Sequence, residues 1–260
     1  MHQHRIVTNG FRTFILMFFL SLLILPPTQA STNRLHTNRN ATALCNNDKH
    51  QSELVILIHG LMRSPKSMRF LKQFLQQRGY QVYSYGYEST KHSIHEHSLT
   101  LTQYLQKILK SHPGKKVHFV THSLGGIIIR ESLGKMSSAQ LKNIGYLIML
   151  APPSQGSKYA SNVSRVLPFL PLFIKPLKEL RSEPTSYVHH VPIPNVTMGI
   201  IAGRYDAKSP PSSAWLAGKN ELVVVNAAHT FIMNNAQARE YILAFLSAGT
   251  FKTAVGQASG

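Results

Sequence analysis

The sequence predicts an α/β fold: a mostly parallel central sheet with helices on both faces. Three observations predict it. Short apolar runs alternate with segments of helical periodicity along most of the chain, the pattern of βα units. Leu54-Val-Ile-Leu-Ile58 is apolar without a break, as a strand buried on both faces must be. The apolar segment Lys116–Val120 runs into Thr121-His-Ser-Leu-Gly-Gly126 and then Ile127-Ile-Ile129, which reads as strand, tight turn and buried helix.

The elements follow in order. Met68, Phe70, Leu71, Phe74 and Leu75 make Pro65–Gln77 a helix that Gly79 ends. Gln81–Tyr87 alternates and is aromatic, hence a strand. Leu99, Leu101, Tyr104, Leu105, Ile108 and Leu109 mark a long helix over Ser93–Lys110. Strands are predicted at Lys116–Val120, Ile144–Leu150, Val196–Ala202 and Glu221–Val225, with a last helix over Ala236–Leu246. A long interruption at 157–194 reads as a cap or lid. Its Val166-Leu-Pro-Phe-Leu-Pro-Leu-Phe-Ile174 is apolar, but Pro168, Pro171 and Pro176 discourage a long helix.

Residues 1–30 read as a signal peptide. Arg5 and Arg12 precede the apolar run Phe14–Leu25, and Thr28-Gln-Ala30 offers a small-residue cleavage site. That run is about a dozen residues, short of the ~20 of a spanning helix, so export with cleavage near Ala30 is expected in preference to an uncleaved anchor. A polar lead-in without periodicity fills 31–52, the folded domain occupies 53–250, and 251–260 is a tail. The one cysteine, Cys45, excludes an intramolecular disulfide.

A net charge of +18 favours anionic partners such as a phospholipid surface. The cations are scattered and form no zinc-finger or RRM pattern, so no nucleic-acid partner is expected. The charge equally fits a general surface property with no single target.

Ser123 is the candidate nucleophile, because a strand-to-helix elbow projects a serine hydroxyl toward a base. The elbow departs from G-x-S-x-G in having Thr121 at its first position. The competing role for Ser123 is an ordinary helix cap. His59-Gly60-Leu61-Met62 ends the first strand in a turn, so the Leu61 N–H and the Leu124 N–H are the expected oxyanion donors. Fourteen histidines compete for the base. Only His229 follows the last strand in a short loop before the last helix; His59 reads as support for its loop, and His122 is expected to be turned away from the serine. The chain has two aspartates, Asp48 in the lead-in and Asp206 after the strand ending at Ala202. Asp206 is therefore expected to orient His229, with Glu221 in reserve.

Val55-Ile-Leu-Ile-His-Gly-Leu61, Thr121-His-Ser-Leu-Gly-Gly126 and Ala228-His-Thr-Phe-Ile-Met233 together resemble bacterial lipases and esterases of the α/β-hydrolase superfamily. The resemblance spans about residues 53–247 and implies that fold and serine-ester hydrolysis, without settling a substrate. No metal or organic cofactor is called for. Val166, Leu167, Phe169, Leu170, Leu172 and Phe173, beside Lys175, Lys178 and Arg181, are expected to meet an acyl chain or an anionic membrane surface; a core-packed connector is the alternative. Two other functions remain open: acyl transfer or amide hydrolysis by the same residues, or an inactive fold that binds anionic surfaces.

Overall fold

The computed structural model describes residues 53–218 and 221–252. The expected signal peptide, lead-in and Cys45, together with residues 253–260 of the tail, lie outside the described residues. Six strands form one sheet: β1 (Leu54–Ile58), β2 (Gln81–Tyr85), β3 (Val117–His122), β4 (Ile144–Leu150), β5 (Met198–Gly203) and β6 (Glu221–Val225). Their order is β2-β1-β3-β4-β5-β6, and every pair is parallel. The chain builds outward from β1 to β2, then crosses back to the other side of β1. The switch point between β1 and β3 opens a crevice at their carboxyl ends, where open α/β sheets place ligands.

The main helices are α1 (Arg69–Gln76), α2 (Ile94–Ser111), α3 (Leu124–Gly134), α4 (Lys158–Val166) and α5 (Ala236–Ala248). Alternate residues of β1 face opposite sides. Leu54, Ile56 and Ile58 pack with α2 and α3, whereas Val55 and Leu57 pack with α1 and α5. Helix α3 is buried from Leu124 to Leu133, and removing one of its isoleucine side chains to alanine costs about 2–5 kcal/mol. Ser93 and Glu96 start α2 with a capping box. Gly249, at φ 71°, closes α5 in the left-handed conformation.

Several boundaries differ from expectation. Strand β3 continues two residues further than expected and ends directly against Ser123. The helix expected from Pro65 begins as a 3-10 turn, Pro65–Met68, with proline in its first turn, and passes into α1 at Arg69. β2 stops at Tyr85 and β5 runs from Met198 to Gly203. The interruption holds α4 and two short helices, Leu170–Phe173 and Lys175–Glu179, each with a proline in its first turn. Phe251, placed in the tail by sequence, is buried with its ring 4.7 Å from that of Phe245.

Candidate active site

Three non-glycine residues in the described chain have a left-handed backbone: Met62 at φ 57°, Ser123 at φ 51° and Ala151 at φ 49°. They follow β1, β3 and β4 at the carboxyl edge of the sheet. Such conformations cost of order 1–3 kcal/mol each and persist where packing enforces them. At Ser123 the enforcement is visible: its N–H donates to the Leu150 carbonyl (2.9 Å), and its own carbonyl accepts from Gly126 N–H (2.9 Å). Its side chain caps nothing, so the helix-cap role is excluded.

The Ser123 hydroxyl instead lies 3.0 Å from His229 Nε2. His229 Nδ1 lies 2.7 Å from Asp206 Oδ2. A carboxylate only accepts, so Nδ1 carries the proton and Nε2 presents a lone pair to the serine O–H. The other Asp206 oxygen accepts from the amides of Lys208 (2.8 Å) and Ser209 (2.7 Å). The carboxylate is thus held at both oxygens and shielded from water. Three residues named from sequence therefore meet through side chains supplied by the loops after β3, β5 and β6. Glu221 sits elsewhere: its carboxylate accepts from Thr250 Oγ1 and the Phe251 N–H.

The turn after β1 is fastened on both sides of Leu61. Tyr87 donates to the His59 carbonyl at 2.8 Å, and its ring stacks on His59 at 4.3 Å. The Met62 N–H donates to Ser89 Oγ at 2.9 Å. The N–H groups of Leu61 and Leu124 donate to no protein group among the described residues. Gly60 lets this turn reach the serine. A Cβ there would lie 3.1 Å from Ser123 Cβ and 2.8 Å from His122 Nδ1, so a side chain fits only if His122 shifts. Burial lowers the affinity of His59 for a proton, and a hydrogen bond to the Gly60 carbonyl offsets part of this.

Thr121 fits for a related reason. Its Oγ1 would stand 3.2 Å from a Cβ on Gly126, so the bare Gly126 makes room for the threonine. The departure in the elbow is matched across the turn rather than strained.

His122 makes no hydrogen bond to the Ser123 hydroxyl among the described residues, but it has a structural partner. Its Nε2 donates to the backbone carbonyl of His229 at 2.9 Å, and the two rings lie 4.9 Å apart. Burial and then the charge of His229 hold it well below the ordinary imidazole range, against the opposing pull of the carbonyl. It is a neutral strut that positions the His229 loop. Nothing local in the sequence signals this, since the partners are 107 residues apart.

The expected lid residues divide. Val166, Leu172 and Phe173 are 68%, 78% and 70% exposed, which leaves them no packing role. Leu167, Phe169 and Leu170 are half-buried, and Leu170 packs against the core with Ile174, Leu177 and Leu180. The base of this segment is tied down: Ser157 N–H donates to Leu180 O (2.8 Å), and Ser157 Oγ donates to Lys208 O (2.6 Å).

Comparison with known proteins bears on the fold and on the kind of protein this chain resembles. A family described as "Putative serine esterase (DUF676)" matches residues 48–176. A lysosomal thioesterase, PPT2-B of Xenopus laevis, is 29% identical over 107 residues, which are 39% of this chain and 36% of that protein. The chain thus spans about a third of the length of the curated relative it matches. The mature lipase BlEst2 of Bacillus licheniformis shares the fold with a TM-score of 0.59 at 16% identity, covering 76% of this chain and 92% of that one. A lipase-esterase related protein of Clostridium acetobutylicum gives 0.53 at 14% identity, covering 75% and 94%. Sheet order and strand–turn–helix elbow agree with these structures: the chain has the α/β-hydrolase fold and resembles serine esterases.

Proposed function

We propose that this protein is a serine hydrolase that cleaves carboxylic esters through an acyl-enzyme on Ser123, with lipid esters among its substrates. The observation that carries the reading is the continuous hydrogen-bonded path from the Ser123 hydroxyl through His229 to Asp206. In the first step His229 Nε2 takes the serine proton as Oγ bonds to the ester carbonyl carbon. The negative charge passes to the carbonyl oxygen, where the Leu61 and Leu124 amides stabilise it. The carbon–oxygen bond to the alcohol then breaks, and the alcohol leaves with the proton from His229. Water, giving a proton to the same nitrogen, attacks the acyl-enzyme and returns Ser123 with a free carboxylic acid. Asp206 keeps the ring in the productive tautomer and stabilises the imidazolium.

Lipid esters are favoured by the apolar tip of the insertion, Val166, Leu172 and Phe173, set beside the exposed cations Arg165, Lys175 and Lys178. The same surface suits transient contact with an anionic membrane. Thioesters are a second reading, supported by the name of the curated relative; thioester cleavage uses the same steps with a thiol leaving. An exported location is part of this reading, supported by the signal-like pattern of residues 1–30.

The test is labelling of the mature protein with a fluorophosphonate, beside Ser123→Ala. Labelling in the wild type and none in the variant is the expected result. A folded wild type that resists labelling, with and without detergent, would favour the inactive surface-binding alternative.

A further inference from the structure

The insertion carries a polar cleft that the mechanism above does not use. Helix α4 sets Lys158, Ser161, Asn162 and Arg165 on one stripe, at the three- and four-residue spacing of a single helix face. With Ser182 and Glu183 these residues line a cleft of about 310 Å³. The wall opposite the helix is fixed to it by backbone contacts. Ser157 and Arg181 form a parallel bridge, the Ser157 N–H donates to Leu180 O, and a Cβ on Gly156 would strike the Arg181 carbonyl. The floor is built from hydroxyls. Ser161, 6% exposed, donates to Glu183 Oε2 and accepts from the Ser182 N–H, both at 2.9 Å. Its oxygen also lies 3.0 Å from Ser182 Oγ. Wall and floor are thus bonded to each other, and the cleft is part of the fold.

Its lining decides what it can hold. No apolar side chain faces it, which excludes an acyl chain as its occupant. Glu183 is already engaged by Ser161 and, at 3.7 Å, by Arg181 Nε. Lys158 and Arg165 are exposed and form no ion pair among the described residues. The cleft is therefore net positive, with hydroxyl and amide groups between two cations. Such a set suits a small anion that carries hydroxyls. Guanidinium and ammonium groups take phosphate oxygens, while serine, asparagine and glutamate side chains take the hydroxyls of a polyol. Ligand pockets run from roughly 300 to 1,000 Å³, so this cleft admits a head group and not a whole lipid.

What lies next to the cleft selects the source of that group. Arg165 is followed at once by the exposed Val166, which ends α4 and begins the apolar tip with Leu172 and Phe173. A soluble polyol phosphate would leave this tip in water. A lipid satisfies both surfaces, with its head group in the cleft and its acyl chains against the tip. We infer that the cleft binds the phosphoglycerol head group of a membrane lipid and docks the insertion on an anionic bilayer. The inference deepens the membrane-contact part of the functional reading and rests on that part, not on the chemistry at Ser123.

The experiment is vesicle co-sedimentation with the Ser123→Ala protein, which turns over no lipid. The vesicles are phosphatidylcholine alone, or phosphatidylcholine with equal fractions of phosphatidylglycerol or phosphatidylserine, two lipids of the same net charge. The tightest binding is expected with phosphatidylglycerol. Adding K158A/R165A is expected to weaken it by at least roughly tenfold, since each cation at an anionic surface is worth about fivefold. The control K107A/K110A removes two exposed cations from α2 and is expected to weaken it by less than about threefold. N162A keeps every charge and is expected to narrow the gap between the two anionic lipids. Equal binding of both anionic lipids by the parent protein, or equal losses in the two double variants, would reduce the effect to general charge and overturn the inference. Binding to phosphatidylcholine alone as tight as to phosphatidylglycerol overturns it too. Glycerophosphoglycerol, the same head group without acyl chains, is expected to compete only weakly. Binding of that compound as tight as the vesicles' would make the ligand a soluble polyol phosphate and overturn the lipid assignment. An unchanged melting temperature checks that each variant is folded. On the wild-type background, K158A/R165A is expected to hydrolyse a soluble short-chain ester at the wild-type rate. No hydrolysis by the wild type itself would count against the esterase reading and leave the docking site standing.

Discussion

The carboxyl edge of the sheet and the tip of the insertion are neighbours in chain order but opposites in construction. At the edge Asp206, His229 and the turn that carries Leu61 are each held twice. Asp206 is bound at both oxygens, His229 through its ring and its carbonyl, and the Leu61 turn through Tyr87 and Ser89. At the tip, Val166, Leu172 and Phe173 project with little to hold them. Reaction chemistry needs groups fixed to within a fraction of an ångström. Recognition of a flexible chain or a fluid surface does not. The molecule spends its strain on the first task and leaves the second to an exposed apolar surface.

That contrast can be broken from the edge side with the largest effects. Ser123→Ala is expected to lower kcat by roughly five to six orders of magnitude while the melting temperature stays close to wild type. Asp206→Asn should lower kcat by about four orders of magnitude, since the amide favours the wrong tautomer of His229. Near-normal turnover in that variant would remove Asp206 from the mechanism. Gly60→Ala forces a Cβ against His122 and Ser123, and is expected to lower kcat by about a hundredfold. It should also lower stability by about 1–3 kcal/mol in a denaturant titration.

The edge carries a pH signature as well. Burial, first among its causes, brings His97 down to about 4, and burial also lowers His59 and His122. An unfolded chain protonates these groups near 6.5. Below that pH the unfolded state takes up protons that the folded state refuses, so stability is full above pH 6.5 and falls as pH drops toward 4. Thermal melts at a series of pH values check this, and His97→Phe should flatten the decline. Leu172→Ser with Phe173→Ser sharpens the comparison from the other side. It should change stability by less than about 0.5 kcal/mol, yet lower turnover of aggregated long-chain esters relative to soluble short ones. Equal rates on both substrate forms would deny the tip any surface role.

Much of the edge was legible because its residue types are scarce. With two aspartates in the chain, elimination alone led to Asp206, and the order of loops after strands led to His229. Strand cores were legible through unbroken apolar runs, whereas their ends were not. β3 extends through Thr121 and His122 because Ile58 and Met149 pair with Thr121, and Leu150 with His122, which is a property of neighbouring strands. The tolerance of Thr121 depends on Gly126 across the turn. His122, Tyr87 and Ser89 act through backbone groups that leave no mark on side-chain patterns. The expectation that prolines would fragment the insertion matched the two short helices, because proline acts locally.

The separation of the site's parts along the chain has a kinetic consequence. Ser123 and His229 are 106 residues apart, and His229 follows β6, an edge strand that pairs with β5 alone among the described residues. Contacts that close such long loops form late, and edge elements detach first. Activity is therefore a report on the last strand to dock. In refolding from denaturant, recovery of turnover should lag behind recovery of helical signal. In gentle unfolding, turnover should vanish while most of the sheet is still assembled.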